Sequence, residues 1–180
     1  MLAQTLKLIL SLDGRTPAPS LPRRLDGLFR ELALPEPSRP AYEIEDLIWA
    51  LWIDHEDADA ARRMERVIAE IAGKRFDVAE GDLSDLVHDH PDWAEAWNKR
   101  ATLYFILNRD AESVADIERT LALEPRHFGA ICGFAHICLR GGEAGAAVAA
   151  FEAALRINPH LESVKAAVEE LNAGLRRSLN

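Results

Sequence analysis

The sequence predicts an all-α protein in which three helical hairpins stack into a solenoid. The first observation is a repeat: Pro91, Pro125 and Pro159 lie 34 residues apart, and each follows an amphipathic segment. The second is periodicity, because apolar residues in these segments recur at spacings of three and four, as on one face of an α-helix. The third is size, since 180 residues suit one domain or one short array of repeats.

Residues 1–40 are predicted to be an N-terminal arm outside the repeats. A short helix at about 22–33 presents an apolar face made of Leu25, Leu28, Phe29 and Leu32. Prolines on both sides of this helix exclude a continuous helix through the arm. Two hypotheses stay open: a permanent cap packed on the next helix, or a displaceable arm that covers the repeats or a neighbouring subunit until a partner binds.

Residues 41–59 are predicted to form a helix that caps the first hairpin. Its apolar face comprises Ile44, Leu47, Ile48, Leu51 and Trp52. At the other end of the array, residues 162–180 are predicted to form a C-terminal capping helix, because the last hairpin would otherwise expose an apolar face.

The repeats themselves occupy residues 60–161 and divide into units 60–93, 94–127 and 128–161. In the second unit, residues 94–107 and 111–123 read as two amphipathic helices with a break between them. Small residues fall at the eighth and twentieth positions of the units, where they let two helices approach closely: Val67, Ala101, Ala135, Ala79, Ser113 and Ala147.

The units resemble the tetratricopeptide repeat (TPR) family, whose repeat has 34 residues. The second unit matches the family pattern at Trp97, Ala101, Tyr104 and Pro125, and the third at Ala135, Gly142, Ala147, Phe151, Ala154 and Pro159. Arg63 and Arg100 depart from it, standing where the family has tryptophan and leucine. The resemblance implies a right-handed α-solenoid that serves as a general binding platform.

The charge of the chain limits its partners. Lys and Arg number 21 against 30 Asp and Glu, so the net charge is −9, the wrong sign for a surface that binds nucleic acid. The excess is regional: residues 1–42 carry 6 basic and 4 acidic side chains, residues 43–95 carry 5 and 16, and residues 96–180 carry 10 and 10, giving +2, −11 and 0. The acidic region is either a solvated face or a surface that steers a basic partner.

Motifs that carry chemistry are not found. The sequence has no glycine-rich phosphate loop, nucleophile elbow or paired-cysteine metal site. His88 and His90 diverge on a helix end, and Cys132 and Cys138 are too far apart along one helix for a disulfide, so we expect unreactive thiols. We expect no cofactor, no metal and no enzymatic activity, with an enzyme that uses His136 as a remote alternative.

The TPR resemblance places partner binding in the concave groove formed by the first helix of each unit. The residues expected there are Met64, Ile68, Asn98, Thr102, Phe105, His136 and Arg140. Their mixed, rather apolar character differs from the lysines and asparagines with which family members hold the acidic tails of heat-shock chaperones. The sequence therefore disfavours a co-chaperone and predicts an apolar interface anchored by Phe105.

The expected function is that of an adaptor or scaffold that binds a peptide or helix of a partner protein, in a bacterial-looking sequence. The alternative is a structural homo-oligomer whose groove accepts its own N-terminal segment. Charged residues interrupt every apolar run, so no integral membrane segment is expected. The N-terminus lacks a basic region and a cleavage site, which predicts a cytoplasmic protein; a periplasmic one is expected only if the true start lies upstream with a signal peptide.

Overall fold

A computed structural model describes residues 1–178, in which the chain forms ten α-helices and no β-strand. The helices are α1 (Leu2–Leu10), α2 (Arg24–Leu32), α3 (Ala41–Ile53), α4 (Ala58–Ala72), α5 (Phe76–Asp89), α6 (Ala94–Ile106), α7 (Asp110–Leu123), α8 (Phe128–Arg140), α9 (Ala144–Ile157) and α10 (Glu162–Ser178). The all-α solenoid of helical hairpins is confirmed. Residues 179 and 180, the end of the segment 162–180, lie outside the described residues. Within 1–178, every helix is too short or too polar to cross a bilayer.

Three hairpins form the array: α4 packs on α5, α6 on α7, and α8 on α9. Their turns are alike, because a residue with positive φ stands at the same position in each: Lys74 at 57°, Asn108 at 59° and Gly142 at 78°. The N–H of the following residue donates to the carbonyl five positions before it, at 2.8, 2.8 and 2.9 Å. Such a left-handed turn ends a helix and satisfies its last carbonyls. The 34-residue period of the prolines thus recurs in the backbone of the turns.

Close approach of the two helices in each hairpin depends on the small residues at the eighth and twentieth positions. All six are buried, with at most 2% of each side chain exposed. In the second hairpin, the hydroxyl of Ser113 also donates to the carbonyl oxygen of Ala101 at 2.8 Å. This position therefore combines a short interhelical distance with a hydrogen bond that satisfies a buried polar group.

Arg100, which departs from the leucine of the TPR pattern, ties α6 to α7. Its guanidinium donates to both carboxylate oxygens of Asp116, at 2.7 and 2.9 Å. The same pair occurs 34 residues earlier, where Arg66 donates to Asp82 at 2.7 and 3.1 Å. Bidentate pairs of this kind fix the relative orientation of the two helices. The departure from the pattern is thus a repeated interhelical link.

The N-terminal region contains a helix that the sequence did not predict. α1 packs on α7 and α9, the second helices of two successive hairpins. Thr5 is fully buried there, and its hydroxyl donates to Oε1 of Glu118 at 2.6 Å. The proline-rich linker that follows is also held, because the N–H of Ala18 donates to the carbonyl of Leu123 at 2.7 Å. Residues 1–40 therefore lie along the array in this structure.

α3 packs chiefly on α2 and α6, and not along the first hairpin as expected for a cap. Trp52 is buried in this contact, and its carbonyl accepts a 2.8 Å hydrogen bond from the indole N–H of Trp93. Only the end of α3 meets the hydrophobic core of the first hairpin, where Ile53 packs. The difference arises because the buried face of α3, with Ile44, Ile48 and Trp52, joins the core of the second and third hairpins.

Candidate functional site

An open groove of about 220 Å³ lies between α6 and α8, the first helices of the second and third hairpins. Small and apolar side chains form most of its lining. The lining residues are Asn98, Ala101, Thr102, Phe105, Ser113, Ile117, Gly129, Ala130, Cys132, Gly133 and His136. No lysine or arginine is among them, so the groove offers apolar contact and a few hydrogen-bonding groups.

Four of the seven predicted groove residues line this space together. Thr102 and His136 are exposed, and Phe105 is half-buried with its ring centroid 6.5 Å from that of His136. Asn98 is buried, with 5% of its surface exposed, and its amide donates to Oε2 of Glu95 at 3.0 Å. The hydroxyl of Thr102 donates to the carbonyl of Asn98 at 3.0 Å, which leaves the lone pairs of that hydroxyl for a ligand.

Arg140, a fifth predicted residue, does not line the groove but holds one wall of it. Its guanidinium lies 3.9 Å from the ring centroid of Phe105 and donates to the Phe105 carbonyl at 2.9 Å. It also donates to the side chain of Asn108 at 2.8 Å and pairs with Asp110. These contacts join the end of α8 to the turn between α6 and α7, and they fix the position of the Phe105 ring.

Met64 and Ile68, predicted for the first hairpin, lie away from this groove. Met64 is fully buried in the core of the first hairpin, so its side chain is not available to a partner. Ile68 is 38% exposed on α4 and is absent from the groove lining. Helical spacing alone predicts the same positions for a groove face and for a core face. Packing against α5 and α6 decides which of the two a residue such as Met64 belongs to.

Beside the groove, a buried polar network surrounds Glu95. Its carboxylate accepts from Nε2 of His127 at 2.9 Å and lies 2.7 Å from Nζ of Lys99. Nδ1 of His127 accepts from the N–H of Ala130 at 3.1 Å, which assigns the ring proton to Nε2. Burial raises the pKa of Glu95, but the hydrogen bond from His127 and the charge of Lys99 outweigh burial and hold that pKa below its ordinary value.

Small residues of α8 are the part of the groove that residue-by-residue prediction missed. A Cβ added to Gly129 would stand 2.6 Å from the ring of Trp49, so glycine is required for the approach of α3. Gly133 also lines the groove, where an added Cβ would stand 3.8 Å from the side chain of Ile117. The sequence pattern that could have indicated this is the pair of glycines four residues apart, which places both on one face of α8. Cys132 also lines the groove, and burial raises the pKa of its thiol to about 12.

Metal-binding geometry is not found in residues 1–178, where no three His, Cys, Asp or Glu side chains are grouped so that they could hold an ion. The side chains that line the groove offer apolar contact and hydrogen-bonding groups. Nothing in its lining pairs an acid with a base.

Comparisons with known proteins agree with the repeat. A tetratricopeptide repeat family model matches residues 129–161. A TPR repeat-containing protein of Rhizobium etli is 35% identical over 147 residues, which cover 82% of this chain and 72% of the relative. The solved structure of the first TPR of Spaghetti (RPAP3), bound to an HSP90 peptide, has a TM-score of 0.60, with 17% identity over 65% of this chain and 93% of that chain.

The fold that these proteins share generally mediates protein–protein interaction, and proteins built on it are typically non-enzymatic scaffolds. The Rhizobium relative is similar along most of both chains, and the hairpin turns here repeat every 34 residues. The chain therefore belongs to the tetratricopeptide repeat family.

Proposed function

We propose that this protein is a non-enzymatic adaptor that binds a peptide or helix of a partner protein in the groove between α6 and α8. The observation that supports this proposal is the mouth of the groove, where half-buried Phe105 stands beside exposed Thr102 and His136. An aromatic ring with hydrogen-bonding groups around it is the usual composition of an interface anchor.

The lining favours a ligand with an apolar side chain over one that relies on carboxylates. The floor beneath Phe105 is formed by Ala101 and Ile117, both with 2% exposure. A volume of about 220 Å³ accommodates a side chain or two, and no lysine or arginine lines it. The hydroxyl of Thr102 and the imidazole of His136 would bind polar groups of the ligand backbone.

We propose that the adaptor works as a single chain. The alternative, a homo-oligomer that inserts its own N-terminal segment into the groove of a neighbour, has less support because α1 packs on α7 and α9 of its own chain. Light scattering over a range of concentrations separates the two: a mass that rises with concentration would favour the oligomer.

We likewise propose a division of the chain into an N-terminal arm (1–40), a helix (41–59), three repeats (60–93, 94–127 and 128–161) and a final helix (162–180). The equivalent turns at Lys74, Asn108 and Gly142 support the repeat boundaries. We also propose a cytoplasmic location, which the free thiols of Cys132 and Cys138 suit.

The experiment is an affinity capture of the native partner from the source cell, followed by measurement of its affinity for variants. Phe105→Ala should weaken binding by about 1–3 kcal/mol, and His136→Ala should weaken it measurably, with helicity unchanged. Tyr42→Ala, which removes a 65% exposed aromatic ring from α3, is the matched control and should leave affinity unchanged. Wild-type affinity in both groove variants would exclude this groove as the binding site.

A further inference from the structure

A second surface of the molecule, separate from the groove between α6 and α8, is an apolar cleft between α3 and α4. The cleft has a volume of about 500 Å³. Its apolar lining comes from α2, α3 and α4: Leu28, Leu47, Ala50, Leu51, Ile53 and Ala61. Leu47 is 37% exposed, whereas Ile44, Ile48 and Trp52 of the same helix are buried in the core. The cleft lies where α3 packs chiefly on α2 and α6, while α4 packs chiefly on α5.

The cleft continues into an adjoining cavity. A second space of about 510 Å³ shares Leu51 and Asp54 with the first and extends to the linker at Pro19 and to Trp93. The two neighbouring spaces, which meet at Leu51 and Asp54 at the end of α3, are together called the depression. Together the two spaces are large enough to take several side chains of a ligand helix.

The residues that line this depression include four carboxylates and one arginine, Arg24. Asp54 and Glu65 line the cleft, and Glu56 and Asp92 line the adjoining cavity. Within residues 1–178, none of these four carboxylates takes part in an ion pair.

Three carboxylates of α5, by contrast, are paired with arginines of α4. Asp82 is paired with Arg66, and Asp85 and Asp89 are paired with Arg63. Residues 43–95 nevertheless carry 16 acidic against 5 basic side chains. The acidic residues of this region that lack an ion pair therefore include those that line the depression. Basic residues of a bound partner would pair with them.

We propose that this depression docks a basic amphipathic helix of a partner protein. Apolar residues spaced by three and four would contact Leu47, Leu51 and Ala61, and lysine or arginine on the flanks would face Asp54 and Glu65. A second copy of this chain fits less well, because its net charge of −9 adds repulsion to the acidic residues of the depression. This surface is separate from the proposed groove between α6 and α8, and its ligand differs from that of the groove in carrying positive charge.

The test uses the full chain and a fluorescent synthetic peptide of about 18 residues, made of leucine and lysine in an amphipathic helical order. Binding is measured by anisotropy at about 50 and about 300 mM salt, with a scrambled peptide of the same composition and a peptide with glutamate in place of lysine. The expected result is that the amphipathic peptide binds at least about tenfold tighter than either control peptide and loses affinity in high salt.

Variants locate the binding on the protein. Asp54→Asn with Glu65→Gln should weaken the peptide at least about tenfold, and Leu47→Gln at least about fivefold, with unchanged circular dichroism. The matched control is Glu152→Gln with Glu169→Gln, which removes two exposed carboxylates elsewhere and should change affinity less than about twofold. Phe105→Ala should also leave it unchanged, so failure of the groove proposal and failure of this one are distinguishable.

Three outcomes would overturn the proposal. If the scrambled peptide bound as tightly as the amphipathic one, charge alone would explain the binding. If Glu152→Gln with Glu169→Gln weakened binding as much as Asp54→Asn with Glu65→Gln, the peptide would bind any acidic surface. A dimer in light scattering that Leu47→Gln dissociates would assign the depression to a second copy of the chain.

Discussion

The imidazole of His127 lies flat on the indole of Trp52, with ring centroids 4.0 Å apart and planes 8° from parallel. Both side chains are buried, at 0% and 1% exposure. His127 stands at the start of α8 and bonds to Glu95 of α6, so the stacked pair joins α3 to the junction of the second and third hairpins. The N-terminal region is thereby attached to the array through its largest buried ring.

Replacing Trp52 should therefore destabilise the whole array. Trp52→Ala is expected to lower the free energy of unfolding by about 3–5 kcal/mol, because it leaves a cavity between α3 and α8. Urea unfolding followed by far-UV circular dichroism measures the change. Tyr42→Ala, on the exposed side of the same helix, should stay within about 0.5 kcal/mol of the wild type. Similar losses in the two variants would contradict the role of Trp52.

The network around Glu95 should make stability depend on pH. The pKa of Glu95 lies below its ordinary value of 4.5, since the hydrogen bond from His127 and the charge of Lys99 outweigh the effect of burial. A carboxyl whose pKa is lower in the folded state stabilises the fold above its unfolded pKa, and this stability disappears as the pH falls through the folded pKa. The free energy of unfolding should thus fall as the solution is acidified below the ordinary carboxyl pKa of 4.5 and through the lower pKa that Glu95 has in the folded protein.

Glu95→Gln should flatten that acid dependence and lower stability near neutral pH, because it leaves the partners of a buried charge unpaired. Chemical unfolding at a series of pH values compares it with Glu152→Gln, which changes an exposed carboxyl on α9 and should keep the wild-type profile. If the profiles of wild type and Glu95→Gln ran parallel, another carboxyl would be responsible for the acid sensitivity.

The two hypotheses for residues 1–40 make different predictions for α2. Leu25 and Leu32 are fully buried there, so each change to alanine should cost about 2–5 kcal/mol if the segment is a permanent part of the fold. Leu34→Ala, at a side chain that is 49% exposed, is the control and should cost much less. Thermal unfolding and the affinity of the captured partner are measured together.

A permanent segment predicts lower stability without tighter partner binding. A displaceable segment predicts tighter partner binding in Leu25→Ala and Leu32→Ala, because less free energy would be needed to release residues 1–40 from the array. The buried contacts of Thr5, Leu25 and Leu32 favour the permanent segment.

The two thiols should be unreactive in the native protein. Burial raises the pKa of Cys132 to about 12, and burial together with the charge of Glu143 raises that of Cys138 to about 11. At pH 8 only about one Cys138 thiol in a thousand would be ionised, and the thiolate is the reactive form. A colorimetric thiol reagent should therefore label the native protein very slowly and both cysteines promptly in urea. Rapid labelling of one thiol in the native state would show that its helix opens.

The order of the repeats could be determined from the amino-acid sequence because the information is local. Proline spacing, small residues such as Ala101 and Ala135, and apolar residues at spacings of three and four all concern contacts within a hairpin or between successive ones. The same local pattern placed Asn98, Thr102, Phe105 and His136 on one side of two neighbouring helices, and in the structure these four line one groove.

The packing of the N-terminal region was decided by tertiary structure. Thr5 meets Glu118 across 113 positions of the chain, and Trp49 fits against Gly129 because that residue has no side chain. No local pattern specifies such contacts, since an amphipathic helix is equally able to cover any apolar face. For the same reason the sequence could not separate the buried Met64 from a groove residue: periodicity shows that a helix has an apolar face, and only the packing of neighbouring helices shows what covers that face.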